Sequence, residues 1–435
     1  MLKLNKYIDA IDWYSLVEVR GRVTELVGLL IRASVPGARV GEICLIQSPH
    51  QIKELKAEVV GFRGKEVILM PLGDIQDVAM GAEVIPTGTT LSVKVGEGIL
   101  GRVLDGLGIP IDKKGDLQNF YEKQVTANPP DPMQRKRVKH KLATGVKAID
   151  GLLTVGEGQR IGVFAAAGVG KSTTLGMLAR NTEADINVIA LIGERGREVR
   201  DFLENDLGEE GLKRSVVIVA TSNEPSLIRI KAAFVATTIA EYFRDQGKKV
   251  LLMMDSVTRF ARALREVGLA VGEPPARAGF PPSVFSELPK LLERTGNSDK
   301  GSITAFYTVL VEGDDMNEPI ADETRSILDG HIILSRNLAA TGHYPAIDIS
   351  NSISRVMSSV ADQEHLKQAQ NLREVLANYD SQKDLIMVGA YKKGSDQKTD
   401  YALGKIDLVN SFLKQGTHEK CEFEDSIDIL SEIFK

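Results

Sequence analysis

A chain of 435 residues, 43% hydrophobic and 26% charged, is too long for one typical core, so two or three domains are expected. Its 54 basic and 59 acidic residues give a formal net charge of −5, which speaks against a nucleic-acid-binding character of the chain as a whole. No apolar run approaches the roughly 18 residues that suggest a membrane span, and the N-terminal MLKLNKYIDAIDWYSLVEV scatters charges among its apolar residues, unlike a secretory signal. Residence in the cytosol is expected. Cys44 and Cys421 are far apart and lack metal-type spacing, which fits a reducing compartment and excludes a disulfide framework.

In chain order, the first fifteen or so residues set Leu2, Leu4, Ile8 and Ile11 beside Lys3, Lys6 and Asp12, compatible with a short amphipathic helix or with a frayed terminus. From about Val17 to Thr90 the segments LVEVRGRVTEL, ICLI, AEVVGF and EVILMPL recur between turn signals and predict a small β-barrel or sandwich, giving an N-terminal domain over 1–90. Residues 91–140 are rich in Gly and Pro and read as a connector. Its end carries NPPDP at 128–132 and the basic run QRKRVKHK at 134–141, either a phosphate or lipid-headgroup contact or a solvated linker. From 141 to 360 the apolar strands RIGVFA, NVIALI, SVVIVA, KVLLMMD and SITAFYTVL alternate with helical stretches, the pattern of a mainly parallel sheet covered on both faces. Over 361–435, Leu366, Ala369, Leu372, Leu376 and Tyr379 recur three or four apart and predict a helical C-terminal domain.

The segment RIGVFAAAGVGKSTTLGML sets a strand directly before AAAGVGKS and a helix directly after it. Ala165, Ala166, Ala167, Gly168, Val169, Gly170, Lys171, Ser172 and Thr173 then form a phosphate loop with Ala in place of the first glycine. Gly168 and Gly170 let backbone N–H groups turn inward around phosphate oxygens, Lys171 reaches the β- and γ-phosphates, and Ser172 ligates Mg²⁺. Kinases and switches share such a loop, so hydrolysis needs further groups. Strand KVLLMM runs into Asp255, placed to orient Mg²⁺, although Asp255-Ser-Val-Thr also reads as a helix N-cap. Strand NVIALI leads into GERGREV and brings Glu194 to the same carboxyl edge, where a carboxylate polarises the attacking water. Pairing of Glu194 with Arg197 or Arg200 at a helix start is the plainer alternative.

The blocks VIALIGERGREV, LLMMDSVTRFARALREVG, PPSVFSELPKLLERTG and VEGDDMNEPIADETRSILDGHIILSR resemble the ATPases of bacterial type III protein export, flagellar and injectisome, which are relatives of the catalytic subunit of rotary ATP synthases. GRVLDGLGIPID at 101–112 and GHYPAIDISNSISRV at 342–356 extend the resemblance over nearly the whole chain. It implies an α/β fold: a RecA-like P-loop ATPase core on a mainly parallel sheet, with a small N-terminal β-barrel and a helical C-terminal domain. It further implies ATP and Mg²⁺ as ligands, Lys171 and Ser172 as phosphate and Mg²⁺ contacts, Glu194 as catalytic carboxylate and Asp255 as the second-motif acid. Arg355, in SISR, matches an arginine finger donated to a neighbouring subunit of a homo-hexamer; without the resemblance it would read as a surface residue. Tyr344, in HYPAID, matches an aromatic that stacks on adenine, where a lone Tyr before Pro would read as packing. Arg195 is expected to face the γ-phosphate. The implied partners are a stator protein at the N-terminus, an export gate, a central stalk, and export substrates and chaperones at the C-terminal domain, with the ring peripheral at the inner membrane. One departure is that Ala166 and Ala167 stand where relatives commonly carry Gly or Ser.

The expected activity is ATP hydrolysis supporting unfolding, release and export of proteins, with the flagellum favoured over the injectisome on GHYPAIDI and SISR. Three other readings fit less well. A β-type rotary synthase subunit would carry a DDLTDP-like segment where this chain has GDDMNEPIADETRSILDG. An RNA translocase is opposed by the acidic balance and by only 5% aromatics. A structural ring without turnover would not need Lys171, Glu194, Asp255 and Arg355 together.

Overall fold

Period-two burial builds the first unit. The computed structural model describes residues 19–48 and 54–435, so Leu2, Leu4, Ile8 and Ile11, with their expected amphipathic helix, lie outside the described residues. Strands β1 (Gly21–Val27), β2 (Leu30–Ser34), β3 (Glu42–Gln47), β4 (Leu55–Arg63), β5 (Glu66–Pro71) and β6 (Glu83–Thr90) close an antiparallel barrel in the order β1-β2-β5-β4-β3-β6. Val23, Ile31, Ala33, Cys44, Ile46, Ala57, Val59, Val67, Leu69 and Val84 fill its interior, as alternation of side chains across a strand requires. Closure leaves no free sheet edge, which a sandwich of these strands would have kept.

By contacts the chain divides into this barrel, with residues 225–228 and 266–274, and a second unit made of the rest from Val93 onward. The second unit is organised by one sheet. Its strands are β7 (Arg102–Asp105), β8 (Arg160–Ala165), β9 (Ile186–Ile192), β10 (Ser215–Ala220), β11 (Lys249–Asp255), β12 (Ser302–Leu310), β13 (Gly330–Leu334) and β14 (Ile347–Ser354). They lie in the order β14-β13-β8-β12-β11-β9-β10-β7, with the short Gly296–Asn297 strand pairing antiparallel to β12. Every main pairing is parallel except β13 with β14. Strand β7 comes from the stretch expected as a connector and pairs with β10. Strands β9 and β10 are buried at every residue, so their apolar runs do not alternate. Parallel strands bring their carboxyl ends to one edge, and the loops that follow β8, β9 and β11 meet there.

Three helices end the chain: Gln363–Met387, Gln397–Leu413 and Phe423–Ile433. The first starts where Asp362 accepts a hydrogen bond from the His365 N–H at 2.8 Å, and the second where Asp396 does the same for Thr399 at 3.0 Å. Ala369 and Leu372 are buried in the core that continues from the sheet, with Leu366, Leu376 and Tyr379 packed against it.

One buried ion pair holds the second unit together away from the sheet edge. Arg294 is 1% exposed and donates to both Glu241 carboxylate oxygens at 2.9 and 2.6 Å, to the Val125 carbonyl at 2.9 Å and to Thr238 Oγ1 at 3.0 Å. Removing one partner of such a pair strands a buried charge, at a cost of about 3–5 kcal/mol. Glu241→Ala is therefore expected to lower the unfolding free energy by that amount in a denaturant titration. A loss below about 1 kcal/mol, the scale of an exposed pair, would contradict this account of the contact.

Candidate active site

The loop between β8 and helix α1 (Lys171–Asn181) is held from below by apolar residues. Ala166 and Val169 are buried, at 3% and 2% exposure, while Ala167, Gly168 and Ser172 are exposed. The Ala166 methyl thus packs into the core cluster, and only the Ala167 methyl stands on the outer side. Gly170, the N-cap of α1, has φ 87° and Gly168 has φ 81°, left-handed values that side chains with a Cβ resist. The first N–H groups of α1 have no partner within the helix and face an incoming anion.

Lys171 begins α1 and turns into the strand edge. Its ammonium hydrogen-bonds Asp255 Oδ1 and lies 3.4 Å from Glu194 Oε1. Asp255 closes β11, two strands away from β8 with β12 between, and also accepts a hydrogen bond from Thr308 Oγ1 of β12 at 2.7 Å. Glu194 follows β9 and is 9% exposed. The structure therefore brings Lys171, Glu194 and Asp255 together from three separated segments. Burial, and then the neighbouring Asp255, push the Glu194 carboxyl up to about 7 against the pull of Lys171 and Arg259. Burial depresses the Lys171 ammonium, but the two carboxylates outweigh it and hold its pKa above the usual lysine value.

Arg259 was not singled out by its sequence context. It sits in helix α2 (Val257–Ala270), one turn beyond Asp255, with its buried Nε 3.5 Å from Glu194 Oε1. Gly193 makes room for it: a Cβ on Gly193 would stand 2.4 Å from Arg259 Cδ. The signal that could have found it is the bare glycine beside Glu194, together with an arginine in the first turn after Asp255.

Arg195 is placed elsewhere. Its side chain is 76% exposed and lies 3.7 Å from Glu198, whose Oε2 also accepts the Arg195 N–H at 3.4 Å. Tyr344 lies beside the loop, since a Cβ on Gly170 would stand 3.4 Å from its Cε1. The Tyr344 carbonyl accepts the Gln415 N–H at 3.0 Å. The Gln415 side chain in turn bonds the Gly145 carbonyl and the Lys147 N–H, each at 2.8 Å. This pins an exposed ring at the phosphate loop.

Arg355 lies at the other edge of the sheet. Strand β14 runs against its neighbours, with Ile347 opposite Leu334 and Ser354 opposite Gly330, and Leu334 is level with Ala165. Ser354 is thus four strand residues below the level of the loop, roughly 13 Å at about 3.3 Å per residue. Arg355 follows it, exposed, with its N–H bonded to the Asp329 carbonyl at 3.0 Å. The fold does not bring Arg355 to its own chain's Lys171 cluster.

These features define a phosphate-loop nucleotide hydrolase class: an α/β core with a glycine loop on a helix N-terminus, a lysine, and two acids at neighbouring strand ends. The chain matches the ATP synthase alpha/beta family nucleotide-binding domain over residues 145–354, the beta-barrel domain of the same family over 23–88, and the T3SS EscN ATPase C-terminal domain over 361–432. It is 52% identical over 433 residues to the flagellum-specific ATP synthase of Bacillus subtilis, covering 99% of both chains. It is also 52% identical over 413 residues to the type 3 secretion system ATPase of Xanthomonas euvesicatoria, covering 95% of this chain and 93% of that one. The assembled EscN ATPase of the enteropathogenic E. coli type III secretion system superposes with a TM-score of 0.91 at 48% identity, over 95% of this chain and 100% of that one. The chain belongs to the type III protein export ATPases, a branch of the ATP synthase alpha/beta family.

The raised Glu194 pKa has a consequence for stability. In the unfolded chain this carboxyl ionises near 4.3, and in the fold near 7, so its contribution favours folding at low pH and is lost as pH rises through 7. In the nucleotide-free protein, Glu194→Gln should therefore gain melting temperature relative to wild type on going from pH 5 to pH 8. An identical difference at both pH values would show that Glu194 titrates normally.

Proposed function

We propose that this chain hydrolyses ATP at the interfaces of a homo-hexameric ring and uses the cycle to unfold, release and export protein substrates through a type III apparatus. The observation that carries the reading is the convergence of Lys171 with Asp255 and Glu194 at the head of α1. In this reading the backbone N–H groups from Gly168 to Thr173 and the Lys171 ammonium bind the phosphates, and the Tyr344 ring stacks on the base. Ser172 and Asp255 would hold Mg²⁺. A hydroxyl and a carboxylate are the hard oxygen donors this ion takes alongside substrate phosphates, and no cluster of three or more His, Cys, Asp or Glu ligands competes among the described residues. When bound, the ion supplies charge neutralisation on the phosphates.

The protein's own steps follow from charge. Incoming phosphate oxygens draw the Lys171 ammonium away from the carboxylates and leave Arg259 as the cation beside Glu194 Oε1. The Glu194 carboxylate then orients the attacking water and accepts its proton as the γ-phosphoryl bond breaks. Arg259 holds Glu194 in position through its 3.5 Å approach. Arg195 swings from Glu198 toward the γ-phosphate. Arg355 serves the site of the next subunit, because its own loop lies across the sheet.

The wider reading comprises a stator protein at the N-terminus, an export gate, a central stalk, and substrates and chaperones at the C-terminal helices, with domains at 1–90, 91–140, 141–360 and 361–435. The ring would sit in the cytoplasm, peripheral to the inner membrane; among the described residues no helix is long and apolar enough to cross a membrane. Support for the stalk comes from EscN, solved in complex with its central stalk EscO at 48% identity to this chain. GHYPAIDI and SISR favour the flagellum over the injectisome.

Two variants test the shared site. Glu194→Gln should keep ATP binding and lose turnover by about 100-fold or more, and Arg355→Ala should lose about 10³-fold even when assembled. Mixed at equal amounts, the two inactive proteins form rings in which about a quarter of interfaces combine an intact Glu194 with a neighbour's intact Arg355. Activity should return in proportion. No recovery, with mixed rings verified by mass, would overturn donation across the interface.

A further inference from the structure

The basic run at 134–141 is mostly exposed but is pinned at both ends. Arg135 donates to the Glu293 and Thr295 carbonyls, the latter at 2.9 Å, and Lys136 Nζ donates to the Asp299 carbonyl at 2.6 Å. The Glu157 N–H, just before β8, donates to the His140 carbonyl at 2.9 Å. Both ends of the run are thereby fixed to the amino edge of the sheet, against the turn 298–301 that leads into β12 and the start of β11. Between them opens a cavity of about 450 Å³.

Its walls are one-sided in charge. Lys136, Arg137, Lys139, Lys249 and Lys300 line it with a single acid, Glu157, so five cations against one anion leave a net of +4 with His140 neutral. Glu157 is already engaged by Lys249. Among the described residues, Arg137, Lys139 and Lys300 form no ion pair. Like charges held this close repel one another, and a fold that pins them around a concavity lowers its energy when an anion enters. Apart from the His140 imidazole, the rest of the lining is glycine, serine and asparagine, without one uncharged aliphatic side chain. The cavity therefore gives the apolar anchors of a peptide no uncharged aliphatic side chain to pack on, and its size suits a compact polyanion.

We propose that this cavity is a second anion site, on the opposite sheet edge from the phosphate loop, which takes a compact phosphate-bearing ligand: a soluble pyrophosphate-type anion or a phospholipid headgroup. Lysine and arginine donors from three chain segments supply charge-assisted hydrogen bonds to its oxygens. The site does not depend on the ATPase reading, since none of its residues touches Lys171, Glu194 or Asp255.

The test fills the catalytic site of the full chain with Mg²⁺ and a non-hydrolysable ATP analogue and then titrates pyrophosphate by calorimetry, with a parallel sedimentation assay on phosphatidylcholine vesicles with and without phosphatidic acid. The expected result is saturable binding of at least one of the two probes that weakens with added NaCl. It should fall by about tenfold or more in Arg137→Glu/Lys139→Glu, and by less in Arg137→Gln/Lys139→Gln. Both positions are exposed, so melting temperature and basal turnover should stay at wild-type values. Binding of pyrophosphate alone assigns a soluble ligand, and binding of acidic vesicles assigns a headgroup. Binding of neither probe, or binding undiminished in the Glu double variant, would overturn the proposal.

Discussion

Lys171 carries one positive charge into a pocket that holds two carboxylates, and the arrangement of the central sheet serves that contact. Asp255 and Glu194 are both buried and both within reach of the same ammonium. One cation cannot neutralise two anions in a poorly solvated site. The protein settles the excess by holding Glu194 partly protonated near neutral pH and by bringing Arg259 alongside. A site left short of positive charge favours entry of a cation. It also gives Lys171 a reason to exchange partners when phosphates, still more anionic, arrive with one. In this account the resting site stores the general base in a quenched form and nucleotide binding releases it.

The topology explains why these residues can meet and why Arg355 cannot join them. β12 lies between the strand that precedes the phosphate loop and the strand that ends in Asp255, and its Thr308 orients the Asp255 carboxylate. The antiparallel strand β14 carries the chain from Tyr344, beside the loop, to Arg355 at the opposite edge. One short segment thus places one residue beside its own phosphate loop and presents another away from it. That division is the geometric basis for the proposal that Arg355 serves a neighbouring subunit.

Local features were legible in the sequence. The phosphate loop stood out because strand, glycine turn and helix are contiguous, and Asp255 and Glu194 because each follows an apolar run that could only be a buried strand. The barrel strands were visible as short β-rich segments, but closure rather than a sandwich depends on the pairing of β1 with β6, a contact between segments some sixty residues apart. Strand β7 hid in a stretch dominated by glycine and proline, and only its pairing with β10 defines it. Arg259 escaped notice because its role arises from packing against Gly193 across two elements. The basic run read as either linker or contact, and its fixed position depends on carbonyls more than 150 residues away in the chain, at Glu293, Thr295 and Asp299.

The central claim, that phosphate displaces two carboxylates from Lys171, is tested most directly by determining the structure of the assembled chain with Mg²⁺ and a non-hydrolysable ATP analogue. The account predicts the Lys171 ammonium on the β- and γ-phosphate oxygens, Glu194 Oε1 outside hydrogen-bond reach of it and facing a water, and a neighbouring subunit's Arg355 at the γ-phosphate. A nucleotide-filled site in which Lys171 still bridges Glu194 and Asp255 would contradict it.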